Sequence, residues 1–398
     1  MNESTPVVVL APGYVGHGIA RSLGRWHVPV YGVHGDARSP AARSRYWRQN
    51  VIWQFDTARP DQLLDYLMEL GRRIGGMPIL IPTDDTTCLF VADHGAELHE
   101  AFRFPSQPAG LVRALSSKRE MYYLCKRYAV PTPETVFPVS RADVIAYGDT
   151  GAFPVMLKPI ENRAAQRDPS RRMVVVRDAR ALLEHYDVME TPNDPNLMLQ
   201  EYIPGGPDTV WMFNGYFDAD SRCLFGLTGK KIRQYPPYTG VTSLGICLEN
   251  ETVERTTTAF MQAVGFRGIL DIGYRYDARK GDYKLLDVNP RIGSTFRLFV
   301  DSLGMDVARA MYLDMTGQPV RAGRSREGRK WVVENFDPVS SVTYYRDRRL
   351  SAAEWIRSLR GIEEGSWLAL DDPAPFAAVA WRSVVTALKH GRRRRGPA

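Results

Sequence analysis

Leu285-Leu286-Asp287-Val288-Asn289-Pro290-Arg291 is the stretch whose reading organises the rest of this chain. Alternate side chains of a strand share a face. Asp287 and Asn289 therefore point one way, and Leu286 and Val288 are expected to point into a core. Two oxygen-bearing side chains at this spacing can hold a hard cation between them. Magnesium favours oxygen ligands and completes its shell with water and phosphate oxygens. Pro290 ends the strand and leaves Arg291 just beyond it, placed to meet an anion. Upstream, GILDIGYRYD (268–277) and YKLLDVNP (283–290) flank the turn-like ARKGD and read as a hairpin. That pairing brings Asp271 and Asp287 towards one end.

Isolated cations on other elements extend the pattern. Lys158 closes the apolar strand GAFPVMLK and is followed by Pro159. Lys118 starts a helix, and Lys230, Lys231 and Arg233 lie on or beside a further strand. A nucleoside triphosphate needs several such charges, because its phosphates carry about four negative charges that magnesium only partly offsets. LQEYIPGG (199–206) runs from a strand into Pro-Gly-Gly and reads as a hinge between two lobes. Its backbone can meet an adenine edge, Tyr202 and Ile203 supply an apolar slot, and Asp208 can reach ribose hydroxyls. Each residue has an ordinary alternative. Lys118 can be a surface lysine, Arg233 can pair with a nearby acid, and Asp287 and Asn289 can be a solvated strand end.

Towards the N-terminus the pattern alternates. PVVVLA, a glycine-rich turn (Gly13 to Gly18), a helix, VPVYGVHGD, a helix around Asp61–Arg73 and MPILIPTDD together imply a parallel α/β sheet. The turn is GxxGxG and not the dinucleotide GxGxxG. Thr83-Asp84-Asp85 lies where open α/β sheets bind ligands, or caps the next helix. A break near Pro105–Pro108 ends this unit. Residues 161–172 are polar and turn-rich and read as a candidate lid, and 209–290 are mostly β. A helix is expected around Asp301–Met315 and a linker from Pro319 to Glu327. His17 and His34 lack a metal-ligand partner at useful spacing and read as structural or solvent-exposed.

The 398 residues allow two or three domains with sizeable cores. No apolar run approaches the ~20 residues that span a bilayer. The start lacks a charged leader region, and the four scattered cysteines form no CxxC pair, which fits a reducing cytoplasm. Net charge is +7, and Arg392 to Arg395 account for much of the excess, so nucleic-acid binding is not expected. In Pro375–His390 the side chains of Phe376, Val379, Ala380, Val384 and Leu388 share a helical face. With the basic run behind it, this segment either docks on the body or rests on an anionic inner-membrane surface.

The motifs, in their order, resemble the ATP-grasp superfamily, and more narrowly its carboxylate–amine ligase branch, related to D-aspartate ligase. The resemblance covers roughly residues 5–320. It implies a mixed α/β and α+β fold: a Rossmann-like N-terminal domain (1–115) and an ATP-grasp domain (116–325) whose lobes, about 116–200 and 201–325, clamp ATP. Residues 326–398 form a C-terminal extension. It further implies ATP and magnesium (manganese as an alternative), an acyl-phosphate intermediate, and release of ADP. Lys118 and Lys158 match the phosphate lysines, Glu201, Tyr202 and Ile203 the adenine hinge, and Asp208 the ribose acid. Asp287 and Asn289 match the metal pair, Arg291 the arginine near the transferred phosphate, and Lys231 and Arg233 the basic strand facing phosphates or substrate. Two positions depart. The last-strand acid, usually glutamate, is Asp287, and the usual acid of the preceding strand falls at Gly273, leaving Asp271 as its substitute.

The substrates implied are a carboxylate, either a small molecule or an envelope precursor, and an amine such as an amino acid. A homo-oligomer is compatible with this. Three other readings stay open: ATP-dependent carboxylation, a nucleotide-binding module with degraded catalysis, and a nicotinamide-dependent oxidoreductase.

Overall fold

A computed structural model of the chain describes residues 4–10, 13–53, 59–160, 173–191 and 193–393, with side chains through residue 386. The N-terminal unit is the expected parallel sheet. Its strands are β1 (Val7–Leu10), β2 (Val30–His34), β3 (Trp47–Ile52) and β4 (Ile79–Pro82), in the order β3-β2-β1-β4. β1 is buried along its whole length, as a strand covered by helices on both faces must be. The predicted helix near 61–73 spans Pro60–Ile74, with proline at its first turn. Asp84 caps the helix Asp85–Asp93 in a reciprocal capping box with Thr87. The loop after β4 opens at the carboxyl edge of the sheet, where such sheets bind ligands.

The small lobe is a second sheet: β5 (Thr135–Val136), β6 (Val155–Pro159), β7 (Val174–Val176) and β8 (Leu197–Glu201), ordered β5-β8-β6-β7 and antiparallel throughout. Its core is its own, built from Val144, Val155, Leu157, Leu182 and Tyr186. The helices Leu111–Ser116 and Lys118–Arg127 do not belong to it. Leu115, Met121 and Cys125 pack with Phe213, Phe260 and Tyr274 in the core of the large lobe. The lobe boundary expected at 116 therefore falls later in the chain.

The large lobe has seven strands: β9 (Val210–Phe217), β10 (Cys223–Tyr235), β11 (Val241–Cys247), β12 (Gly268–Asp277), β13 (Asp282–Asn289), β14 (Lys330–Val332) and β15 (Ile362–Gly365). Their order is β13-β12-β9-β10-β11-β14-β15. The predicted hairpin is β12–β13. The C-terminal extension is part of this sheet, because β14 pairs with β11 and β15 pairs with β14. The helix expected over 301–315 is shorter, Val307–Met315, because Asp301–Gly304 forms a tight turn before the cap at Asp306. The N-terminal sheet and this lobe share one core, in which Val9 and Leu80 belong with Tyr216, Phe296 and Tyr312.

His17 and His34 are both buried, and His34 bonds to Asn50. The four cysteines are free. The last helix, Ala374–Arg393, docks through Phe376 and Val379 against Ala41 and Trp367. Val384 and Trp381 further along are 52% and 70% exposed. The side chain of Leu388, the run Arg392–Arg395 and the candidate lid 161–172 lie outside the residues whose side chains are described. No helix among the described residues is long and apolar enough to cross a membrane.

Candidate active site

The β12–β13 register determines the site. Asp271 stands opposite Asn289, and Gly273 opposite Asp287. The Asn289 amide nitrogen lies 3.4 Å from Asp271 Oδ2 and 3.3 Å from Asp287 Oδ2, so the three side chains converge on one point. Gly273 is what allows this. A Cβ there would meet Asp287 Oδ1 at 2.6 Å. Gly293 does the same for Asp271, whose carboxylate lies against the place a Cβ would fill. Asp271 thus stands one pleat away from Gly273, and two glycines leave room for both carboxylates.

A bulge on this hairpin corrects one expectation. Two residues, Leu286 and Asp287, oppose one step on β12 between Gly273 and Tyr274. Leu285 therefore takes the core position and is fully buried, while Leu286 turns to line the cleft. Val288 is buried as expected.

Two carboxylates, Asp271 and Asp287, meet two cations, Arg291 and Lys231, at this point. Burial, together with the charge of Asp287, pushes the Asp271 carboxyl up to about 6, against the pull of Arg291 and Lys231. Lys231 faces the same pair; burial lowers its affinity for a proton, and Asp287 and Asp271 raise it. Its Nζ donates to the Gly240 carbonyl at 3.2 Å. The amide nitrogen of Asn289 sits between two carboxylates where a cation would serve both. Two carboxylates and one amide oxygen, reached by rotating that amide, are a donor set suited to magnesium. The residues present therefore fit the metal.

Across the cleft stands the small lobe. Lys158 on β6 is half-buried, and its ammonium group is the crowded part. Burial and the nearby Lys118 lower its pKa to about 8, while Asp287 works the other way. Lys118 opens its helix behind the Ser117 cap and donates to the carbonyl oxygens of Pro159 and Ile160, at 2.9 and 3.0 Å. Both lysines and the carboxylate pair thus face one space of about 1870 Å³, whose lining includes Lys118, Lys158, Lys231, Asp271, Asp287, Asn289 and Arg291. That exceeds the ~300–1,000 Å³ of a single small-molecule pocket. Met156, Val175, Ile203, Met212 and Leu286 give it an apolar side.

The remaining expected residues divide. Tyr202 and Ile203 line the cleft at the end of β8. Glu201 also lines it, but its carboxylate is held by Lys284 at 2.7 Å and Arg279 at 2.8 Å, so its side chain braces the hinge and leaves the backbone to face a ligand. Asp208 is exposed in the short turn Pro207–Thr209, outside the cleft lining. Arg233 differs from expectation. A bulge at Ile232 interrupts the alternation between it and Lys231, although both line the cleft. Its buried guanidinium bonds to both Asp337 oxygens, at 2.8 and 2.9 Å, and to Ser358. It anchors the C-terminal extension, the alternative of a nearby acid that its sequence context allowed.

Arg291 Nε lies 2.6 Å from Asp85 Oδ1, and its Nη2 lies 3.4 Å from Asn289 Oδ1. The C-terminal extension supplies a wall that sequence reasoning missed. Tyr344, Asp347, Arg349 and Glu354 line the cleft, and the Tyr238 hydroxyl donates to Asp347 at 2.6 Å. No periodic signal pointed to them, because they arrive through loops and short helices.

No family model matches the chain. It is 24% identical over 328 residues to the D-aspartate ligase of Enterococcus faecium (strain Aus0004), covering 77% of this chain and 76% of that one. The N5-carboxyaminoimidazole synthetase of Staphylococcus aureus, solved with ADP, superposes with a TM-score of 0.62 at 12% identity, covering 81% and 80% of the two chains. An L-amino acid ligase from Bacillus licheniformis superposes with a TM-score of 0.60 at 14% identity, covering 81% and 71%.

Proposed function

We propose that this chain is an ATP-grasp enzyme, an ADP-forming ligase that activates a carboxylate as an acyl phosphate and joins it to an amine. The observation that carries this is the convergence of Asp271, Asp287 and Asn289 on one lobe with Lys158 on the other, across one cleft.

The chemistry follows from what each group can do. A carboxylate is a poor electrophile because its leaving group would be oxide, and phosphorylation supplies a better one. Lys158 from the small lobe and Lys118, at the start of a helix packed on the large lobe, hold the phosphate chain. Asp271, Asp287 and Asn289 would hold magnesium, which when bound offsets the charge of the triphosphate. Arg291 and Lys231 face the transferred phosphoryl group and compensate the charge that develops on it. Ile203, Leu286 and Met212 give the base an apolar slot, with the hinge backbone at its edge. The two lobes keep water from the intermediate when they approach each other.

The likeness to D-aspartate ligase puts amino acids with a second carboxylate first among candidate substrates. The exposed Trp381 and Val384, and 14 Lys and Arg against nine Asp and Glu in residues 326–398, favour contact with an anionic membrane surface. Release of ADP should be screened over amino acids, other carboxylates and bicarbonate, with free amines or hydroxylamine as acceptors and mass spectrometry of the products. A carboxylate-dependent burst of ADP with an amide or hydroxamate product is expected. ADP released only with bicarbonate, or none with any carboxylate, would sink the ligase reading.

A further inference from the structure

The ion pair between Asp85 and Arg291 links the N-terminal sheet to the reacting end of the cleft, and its make-up is unusual for a structural contact. Asp85 is the first residue of the helix Asp85–Asp93, at the carboxyl edge of β4. Its two neighbours are committed to structure. Asp84 caps the helix by accepting from Thr87 N at 2.8 Å, and the Thr83 hydroxyl donates to the Leu10 carbonyl at 2.7 Å. Asp85 does neither. Its carboxylate is 62% exposed while lining the cleft, and Arg291 is its ion-pair partner among the described residues.

Resting on the ligase reading, we propose that Asp85 receives the ammonium group of the amine substrate, and that Arg291 occupies it only until the phosphoryl group arrives. Arg291 is 17% exposed and sits beside Asn289 and Asp271, so it is built into the site, whereas Asp85 approaches it from a different sheet. A half-exposed ion pair holds its partners loosely. A phosphoryl group with two negative charges competes for a guanidinium better than a single carboxylate, through paired charge-assisted hydrogen bonds. Once Arg291 turns to the acyl phosphate, Asp85 is left as an uncompensated carboxylate one guanidinium away from the electrophile. An amine substrate enters as its ammonium form, which is the cation this position then lacks; it gives a proton to the Asp85 carboxylate, and the freed lone pair forms the C–N bond as phosphate leaves. Asp85 thus distinguishes a charged amine from a neutral nucleophile, and ties amine binding to prior formation of the acyl phosphate.

The test compares wild type, Asp85→Asn and Asp85→Glu in the full chain. Each is given magnesium, ATP and the carboxylate of the panel that releases most ADP. The nucleophile is either a free amino acid, which carries an ammonium group, or hydroxylamine, which is uncharged near neutral pH. Loss of a charge-assisted contact predicts that Asp85→Asn raises the amine KM by about tenfold or more. The hydroxylamine route should change by less than about threefold, or speed up because Arg291 is released. Asp85→Glu should restore most of the amine KM. An unmoved amine KM in Asp85→Asn, or equal losses with both nucleophiles, would overturn the assignment while leaving the ligase reading in place. Absence of hydroxamate and ADP from wild type with every carboxylate would remove both.

Discussion

At the scale of single residues, the site depends on what is absent at 273 as much as on what is present at 271. A methyl group at Gly273 would stand 2.6 Å from Asp287 Oδ1. Either the strand yields, at about 1–3 kcal/mol, or the carboxylate moves off the metal position. Gly273→Ala is therefore expected to raise the magnesium concentration needed for half-maximal ADP release by about tenfold, a shift of about 1.4 kcal/mol. A magnesium titration checks it, with the melting temperature as control. Lys158 gives a second expectation. Its pKa of about 8 means that it is charged below that pH and increasingly neutral above it. Phosphates bind the charged form, so above about pH 8 nucleotide affinity should fall, by up to about tenfold per unit, with one proton taken up on binding. Calorimetry in buffers of different ionisation enthalpy checks this, and Lys158→Gln should abolish the dependence. Most of these residues were legible in the sequence because a strand's alternation puts Asp287 and Asn289 together whatever surrounds them. Leu286 and Arg233 were misplaced for the same reason: a bulge shifts alternation by one residue, and nothing in the sequence announces it.

Among elements, the strands and helices with strong periodicity were readable: β1, the helix Pro60–Ile74, and the β12–β13 hairpin. β14 and β15 were not. They are three and four residues long, and they become strands because the edge of β11 offers them partners, which is a tertiary cause. The pair Arg233–Asp337 fixes this late addition, since both side chains are almost fully buried, and Ser243 and Trp355 also bond to Asp337. Removing one member leaves the other charge buried and unpaired. Asp337→Ala should therefore cost about 3–5 kcal/mol, read as a lower denaturant midpoint. Replacing both with apolar residues, Arg233→Met with Asp337→Leu, should recover most of that loss. Nucleotide affinity should remain near wild type in the double variant, because the guanidinium is held by Asp337 and Ser358 although Arg233 lines the cleft. A large loss of ATP binding with stability restored would return Arg233 to the phosphates.

For the whole molecule, the division of cores predicts which part moves. The N-terminal sheet and the large lobe are packed as one body, whereas the small lobe closes its core on itself. The charges for a triphosphate are divided along the same line, with Lys158 on β6 and the carboxylate pair on β12 and β13. Both halves offer groups to a metal-bound triphosphate, so binding should draw the small lobe towards the large one. Glu201, held by Lys284 and Arg279 at the end of β8, marks the pivot and should move least. Magnesium with a slowly hydrolysed ATP analogue should slow amide exchange in residues 155–160 and reduce the radius of gyration in solution scattering. The analogue without magnesium should do less of both. Asp287→Asn should keep weak nucleotide binding through the small lobe yet lose the compaction, because only one side of the bridge remains. Full compaction in that variant would mean that the lobes close for a reason other than the divided charge, and the carboxylates of the hairpin would then need another role.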